Sequence, residues 1–131
     1  MKVFLSLGTN LGNRENFLQQ ARESLNDPPN IYILKESKIL NTPAMDFQDQ
    51  PDFLNQVLEV KTILKPLELL DFIQDVEKKI GRVRRFDKGP REIDIDILLY
   101  GEEGWNTDRL IIPHHSIQSR PFIGKLLVSI S

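Results

Sequence analysis

The order in which helical and strand-like apolar patterns follow one another restricts the fold of this chain most strongly. Two segments have helical periodicity: residues 13–27, with Asn13 as a candidate N-cap, and a segment from Pro66 to Gly81. The strand-like segments, the first ending at Gly8, are 2–7, 31–40, 53–63 and 93–100. This β-α-β-β-α-β order predicts an α+β domain with a ferredoxin-like antiparallel sheet. After Gly101 we expect loop, up to a short helix near 121–128.

The composition, with 40% hydrophobic and 27% charged residues, is typical of one globular domain spanning residues 1–131. The net charge of −2 argues against a sequence-independent grip on nucleic acid. No apolar run is long enough to cross a membrane, and the N-terminal run is too short for a signal peptide. The chain has no cysteine, which excludes disulfides, thiolate metal sites and cysteine nucleophiles. We therefore expect a cytoplasmic monomer that binds small molecules, not nucleic acid or membranes.

Two aspartates begin the last strand-like segment, although aspartate is depleted in strands. The predicted topology gathers three connections at that edge of the sheet: 8–13, 41–52 and 82–92. Asp94 and Asp96 are two residues apart, so they share a face and their Cβ atoms lie about 6.7 Å apart. Carboxylates at this spacing suit one or two Mg²⁺ ions. The alternative is a solvated strand face on which the aspartates pair with arginines.

The last of these connections is rich in basic residues, namely Arg82, Arg84, Arg85, Lys88 and Arg91. The planar guanidinium group of arginine donates two parallel hydrogen bonds to phosphate. A basic loop beside an acidic pair is typical of a metal–polyphosphate site, and a charge-paired surface is the alternative. The segment G8-T-N-L-G-N13 lacks the Lys-Ser/Thr ending of a P-loop, so we interpret it as a tight strand-to-helix turn.

A second candidate wall combines the segment from Thr42 to Met45 with Phe53 and Asn55. Phe53 and Asn55 share a strand face. An aromatic ring beside an amide suits a flat heteroaromatic ligand, which stacks on the ring while the amide pairs with its edge. The alternatives are a core phenylalanine and an amide that is satisfied within the protein.

Two adjacent histidines, His114 and His115, lie between Arg109 and Arg120. On an extended segment neighbouring side chains point in opposite directions, so the two imidazoles are predicted to make a poor metal pair. We interpret His114 as a candidate donor to a phosphate, with an exposed or structural histidine as the alternative. For His115 the structural interpretation is favoured.

Several segments, taken together and in order, resemble one family. They are L-G-T-N-L-G-N-R, T-P-A-M with D-Q-P-D-F-L-N, V-E-K-K-I-G-R, G-P-R-E-I-D-I-D-I-L-L-Y-G and N-T-D-R-L-I-I-P-H-H. Over about residues 3–122 the chain resembles the 2-amino-4-hydroxy-6-hydroxymethyl-7,8-dihydropteridine pyrophosphokinases of folate biosynthesis. The resemblance implies an enzyme that binds ATP with two Mg²⁺ and then a pterin. It also implies transfer of the β,γ-pyrophosphoryl group to the 6-hydroxymethyl oxygen, with release of AMP.

The resemblance further implies roles for individual residues. Asp94 and Asp96 hold both metals and, with Arg82 and Arg91, form the catalytic set. The implied nucleotide and phosphate site is lined by Glu77, Arg82, Arg84, Arg91, Ile97, Arg109, His114 and Arg120. The implied pterin site, with two phenylalanine rings sandwiching the pterin, consists of Thr42, Pro43, Met45, Phe53, Asn55 and Phe122.

Other functions remain open from the sequence. A ferredoxin-like ligand-binding module does not require an acidic pair, a basic loop and a histidine together. An RNA-recognition domain shares the order of elements, but its third strand carries exposed aromatic residues in a basic setting, whereas this one is F-L-N-Q-V-L-E-V. A paralogue that binds pterin and nucleotide without turnover would keep the same motifs.

Overall fold

The computed structural model of the chain describes residues 2–43, 50–82 and 92–131. In chain order the strands and helices are β1 (Val3–Thr9), α1 (Arg14–Leu25), β2 (Ile31–Glu36), β3 (Leu40–Thr42), β4 (Phe53–Thr62), α2 (Pro66–Ile80), β5 (Asp94–Tyr100), β6 (Trp105–Asn106), β7 (Ile111–Ile112), α3 (Ser116–Ser119) and α4 (Pro121–Ile130). Within the described ranges, none of the helices combines the length and the apolar character needed to cross a bilayer.

The main sheet has the strand order β2-β4-β1-β5, and β3 pairs with the first residues of β4. Every pairing in it is antiparallel. The first strand of the β-α-β-β-α-β series therefore lies between the third and the fourth. This arrangement confirms the predicted α+β, ferredoxin-like fold.

Two apolar clusters cover opposite faces of the sheet. The larger cluster packs α1 and α2 on one face, through residues such as Leu18, Ala21 and Ile73. The smaller cluster packs α4 on the other face, through Ile123 and Leu126. We call these the α1–α2 face and the α4 face.

The helix ends largely follow the predicted signals. The Asn13 side chain accepts a hydrogen bond from the Asn16 N–H at 3.1 Å, which confirms it as the N-cap of α1. Helix α1 ends at Leu25, before the predicted 27. Helix α2 starts at Pro66, and Gly81 caps its end with φ 107°, a left-handed conformation that favours glycine. Helix α4 runs to Ile130, beyond the predicted 128.

The prediction that β1 ends at Gly8 is wrong, because the strand continues to Thr9. Gly8 pairs with Asn55 of β4 on one side and with Asp94 of β5 on the other. These pairings keep the glycine in the middle of the sheet, between the starts of two neighbouring strands.

The predicted strand 31–40 is two strands, separated at Ser37. The Ser37 N–H donates to the Val57 carbonyl at 2.9 Å, and the Ser37 hydroxyl accepts from the Val57 N–H at 2.9 Å. The Ser37 hydroxyl oxygen thus replaces the backbone carbonyl that would accept this hydrogen bond in a regular strand pair. Serine side chains are known to compete with regular strand pairing in this way. Short strand β3 then returns to β4 and carries Thr42.

The alternation of β5 is interrupted by a bulge. Leu5 pairs with Ile97 and Phe4 with Leu99, so Leu98 is left out of the pairing. Ile93, Ile95 and Ile97 lie on the α1–α2 face, but Leu99 does not share it. Leu98 and Leu99 both pack in the α4-face cluster.

The region after Gly101 contains more regular structure than predicted. Strands β6 and β7 pair with each other, and the single turn α3 precedes α4. These elements are too short to produce a periodic sequence signal.

Candidate active site

The polar side chains predicted to act together meet at one end of the α4 face. Asp94 and Asp96 open β5 on this face and are 25% and 33% exposed. On the neighbouring strand β1, Gly8 pairs with Asp94 and Ser6 pairs with Asp96. The cavity at this end is lined by Ser6, Leu7, Gly8, Phe53, Asn55, Asp94, Asp96, Ser116, Arg120 and Ile123.

Gly8 forms the floor of this cavity between its two halves. A Cβ atom at Gly8 would lie 3.6 Å from Asn55 Oδ1 and 3.8 Å from Phe53 Cδ1. These are ordinary contact distances, so the fold itself tolerates a methyl group there. A larger side chain would project into the cavity. Gly8 is not among the site residues predicted from the sequence, because only the strand register places it between Asn55 and Asp94.

A chain of charges connects α2 to the acidic pair. Arg82 Nη1 donates to Glu77 Oε2 at 2.8 Å and to Asp94 Oδ1 at 3.0 Å. The same Glu77 oxygen accepts from the backbone N–H of Ile95 at 2.8 Å. Glu77 therefore holds both the guanidinium that faces Asp94 and the strand that carries both aspartates.

Burial dominates the electrostatics of Glu77. Desolvation raises the pKa of its carboxyl from 4.5 to about 7, although the Ile95 N–H and the charge of Arg82 act in the opposite direction. The negative charge of Asp94 adds to the increase. The carboxyl thus titrates near neutral pH.

His114 approaches the acidic pair from the α3 side. The backbone N–H of Ser116 donates to His114 Nδ1 at 3.1 Å, and the Ser116 hydroxyl lies 2.8 Å from the same atom. Nδ1 is therefore an acceptor, which puts the proton on Nε2, 3.5 Å from Asp96 Oδ1. Burial lowers the pKa of His114 from 6.5 to about 4, so the neutral ring prevails at neutral pH.

The prediction that the two histidines point in opposite directions is wrong. Their rings are stacked, with centroids 4.3 Å apart and an interplanar angle of 26°. The reason is that His115 already has helical backbone angles as the N-cap of α3, so the segment is not extended. Ser116, which holds His114, was missed because a single helical turn leaves no pattern in the sequence.

The other half of the cavity contains the amide predicted to read a ring edge. Asn55 is 3% exposed, and its Nδ2 donates to the Thr42 hydroxyl at 2.6 Å. Phe53 lines the cavity, and Phe122 of α4 packs against the α4-face cluster. Pro43, the residue after Thr42, is exposed. Thr42, Phe53 and Asn55 are therefore together, as the sequence predicted.

The side chains of two residues assigned to the nucleotide site lie away from this cavity. Ile97 is 2% exposed and packs in the cluster on the α1–α2 face. The Arg109 guanidinium donates to Asp71 of α2 at 2.7 Å in an exposed ion pair. Their roles stay predictions. Met45, Arg84, Arg85, Lys88 and Arg91 lie outside the described residues.

Fold and site together define a class: a ferredoxin-like domain in which a carboxylate pair, a guanidinium and a histidine face a buried amide across a glycine. The sequence model of the family described as 7,8-dihydro-6-hydroxymethylpterin-pyrophosphokinase matches residues 4–131. The chain belongs to this family.

Three curated relatives illustrate the similarity. The chain is 40% identical over 121 residues to a 2-amino-4-hydroxy-6-hydroxymethyldihydropteridine pyrophosphokinase of Bacillus subtilis, covering 92% of this chain and 72% of the relative. It is 46% identical over 120 residues to the protein of the same name from Aquifex aeolicus, covering 92% and 74%. It is 46% identical over 129 residues to the folic acid synthesis protein fol1 of Pneumocystis carinii, covering 98% of this chain but only 17% of that protein.

This membership confirms the predicted family and enzyme class. It also confirms the predicted reaction, ATP-dependent pyrophosphoryl transfer to a hydroxymethyldihydropterin in folate biosynthesis.

Proposed function

We propose that this chain performs its family's transfer at the polar end of the α4 face, with Asp94, Asp96, Asn55 and their neighbours in the roles given below. The observation that carries the proposal is the register at Gly8, which has Asn55 on one side and Asp94 on the other. An amide suited to the edge of a pterin and a carboxylate suited to a metal thus lie on either side of a residue without a side chain. The two substrates would meet above Gly8.

Asp94 and Asp96 are the residues that would hold Mg²⁺. Both offer oxygen ligands on one strand face, and both are partly exposed. In the parts of the chain that the structure describes, no three acidic, histidine or cysteine side chains cluster as a complete metal site. This fits an ion held by one or two carboxylates and by substrate phosphates. When bound, Mg²⁺ offsets phosphate charge during transfer. Two ions are part of the proposal.

The pterin half is proposed to orient the attacking hydroxyl. Asn55 and Thr42 would exchange their mutual hydrogen bond for hydrogen bonds to the pterin edge, and Pro43 and Met45 are part of the same proposed site. Phe53 and Phe122 would stack on the two ring faces. Orientation of this kind replaces a bimolecular encounter by a fixed geometry, and can lower the barrier by several kcal/mol, about 7 to 11 in well-aligned systems.

The nucleotide half is proposed to bind ATP phosphates. Arg82, tied to Glu77 and Asp94, offers a fixed guanidinium, and His114 presents its Nε2–H on the same side. Arg120 lines the cavity. Arg84, Arg91, Arg109 and the backbone at Ile97 complete the proposed set.

The proposed reaction is an in-line displacement. The 6-hydroxymethyl oxygen forms a bond to the β-phosphorus while the bond from that phosphorus to the oxygen bridging the α-phosphate breaks. AMP leaves with the bridging oxygen, and the hydroxyl proton is released. The cationic and N–H groups of the nucleotide half stabilise the charge on the phosphates and on departing AMP.

The test is to incubate the protein with Mg²⁺, ATP and 6-hydroxymethyl-7,8-dihydropterin and to identify the nucleotide product by chromatography. AMP, formed in proportion to pyrophosphorylated pterin, is expected. ADP as the product, or binding of both substrates without turnover, would refute the proposal, and the second result would indicate a catalytically inactive paralogue.

The remaining expectations, a single domain that acts as a cytoplasmic monomer, stay predictions. The monomer is tested by analytical ultracentrifugation of the purified chain with and without ATP. A sedimentation coefficient matching 15.2 kDa is expected.

A further inference from the structure

The proposed pterin half is attached at both ends to one connection, residues 43–52. Its outgoing end is β3, which carries Thr42, and its returning end leads directly into Phe53 and Asn55. Thr42 pairs with Phe53 across the two strands, so the geometry of the pterin half depends on this pairing and on how the ends of the connection are held.

Asn10 holds the returning end. It is 1% exposed, and its Nδ2 donates to Gln50 Oε1 at 2.8 Å and to the Pro51 carbonyl at 3.1 Å. Both acceptors come just before Phe53. A buried side-chain amide with two defined acceptors fixes backbone position closely, because leaving it unsatisfied is costly.

Arg14 of α1 joins the two ends. Its Nη1 donates to the Asp52 carbonyl at 2.8 Å and to Asn41 Oδ1 at 3.3 Å. Asn41 is flanked on β3 by Leu40, which packs in the α4-face cluster, so the Asn41 side chain points to the opposite face. Arg14 therefore acts from the α1–α2 face, behind the sheet as seen from the cavity.

We propose that Asn10 and Arg14 are positioning residues for the pterin half, which they align from behind without touching the substrate. The proposal rests on the proposed function, because it takes Thr42, Phe53 and Asn55 as the pterin-binding residues. Its distinctive consequence is selectivity: loss of either residue disturbs the pterin half and leaves the Asp94, Asp96 and Arg82 half in place.

The test compares Asn10→Ala and Arg14→Ala with Arg22→Ala as a matched control. Arg22 lies on the same helix and donates to Gln56 Oε1 of β4 at 3.0 Å, so the control also removes a contact from α1 to the strand that carries Asn55. It leaves both ends of the connection untouched. Steady-state kinetics give KM for the pterin, KM for ATP and kcat, and thermal unfolding monitors the fold.

Asn10→Ala and Arg14→Ala are each expected to raise KM for the pterin by about ten-fold, which corresponds to about 1.4 kcal/mol of lost alignment. KM for ATP should change by less than about two-fold. Arg22→Ala should lower thermal stability without changing KM for the pterin. Arg14 is partly exposed, so its variant tests the proposal even if Asn10→Ala does not fold.

Two results would overturn the proposal while the wild-type protein still forms AMP. One is an increase in pterin KM no larger in the two variants than in Arg22→Ala. The other is a parallel change in all three kinetic constants, which indicates a general structural role. A wild-type protein that forms no AMP would instead overturn the proposed function, and this proposal with it.

Discussion

Glu77→Gln is expected to stabilise the protein above neutral pH and at the same time to lower its activity. Glu77 is 8% exposed, and burial raises its pKa to about 7. Glutamine keeps an oxygen that can accept from the Ile95 N–H, and it brings no charge into the interior. It gives Arg82 no anionic charge, however, so among the described residues Asp94 is then the one anionic partner of the guanidinium.

The magnitude follows from the difference in pKa between the unfolded and the folded protein. The folded value is the higher one, so the stabilisation linked to Glu77 is complete below about pH 4.5 and is lost as the pH rises through about 7. A pKa raised from 4.5 to about 7 corresponds to about 3 kcal/mol in the free energy of unfolding. The variant lacks this titration. It should match the wild type near pH 4.5 and exceed it by up to about 3 kcal/mol near pH 8.

Urea unfolding of both proteins across this pH range, without metal or nucleotide, measures the difference. Glu15→Gln removes an exposed carboxylate of α1 and controls for the change in net charge. If the stabilities of wild type and Glu77→Gln change in parallel with pH, the argument that burial governs this carboxyl is refuted.

Glu77→Gln is also expected to slow catalysis. The hydrogen bond from Arg82 to Glu77 is charge-assisted, a class worth about 1.5 to 3 kcal/mol. Without it, kcat/KM for AMP formation is expected to fall by about ten-fold or more. An unchanged kcat/KM would show that Asp94 alone positions the guanidinium.

Substitutions at the cavity are expected to separate its two halves. Asp94→Asn and Asp96→Asn should each lower AMP formation by about 10²-fold or more with little change in thermal unfolding, and wild-type rates in either variant would contradict the metal role. Gly8→Val should lower kcat/KM by about 10²-fold by filling the floor, whereas Gly8→Ala should keep most activity; equal effects would exclude a steric cause. Thr42→Val removes the hydroxyl that pairs with Asn55 and should raise KM for the pterin by about five-fold without changing KM for ATP, both read from steady-state kinetics.

The sequence was sufficient for the topology because its signals are local and repeated. Strand and helix periods, the N-cap Asn13 and the C-cap Gly81 each indicate an element without knowledge of its partners. The side-chain period of two also placed Asp94 and Asp96 on one face, since alternation is a property of a single strand.

What the sequence could not provide depends on contacts between elements. Nothing local shows that Gly8 lies between Asn55 and Asp94, because the register of two strands decides it. The stacking of His114 on His115 depends on a one-turn helix whose sequence has no period. The ion pair of Arg109 with Asp71 joins residues 38 positions apart.

The bulge in β5 shows why the irregular part of the fold lies next to the site. Up to Ile97 the strand alternates, which keeps Asp94 and Asp96 on the α4 face and the isoleucines in the core. From Leu98 on, the strand contributes apolar side chains to the cluster under α4. Because of the bulge, two successive residues, Leu98 and Leu99, pack in this cluster. The carbonyl of Leu98, the residue left out of the pairing, accepts the His114 N–H at 3.0 Å. One inserted residue thus seals the core under α4 and fixes the backbone that carries the histidine towards Asp96, which is why bulges recur beside active sites.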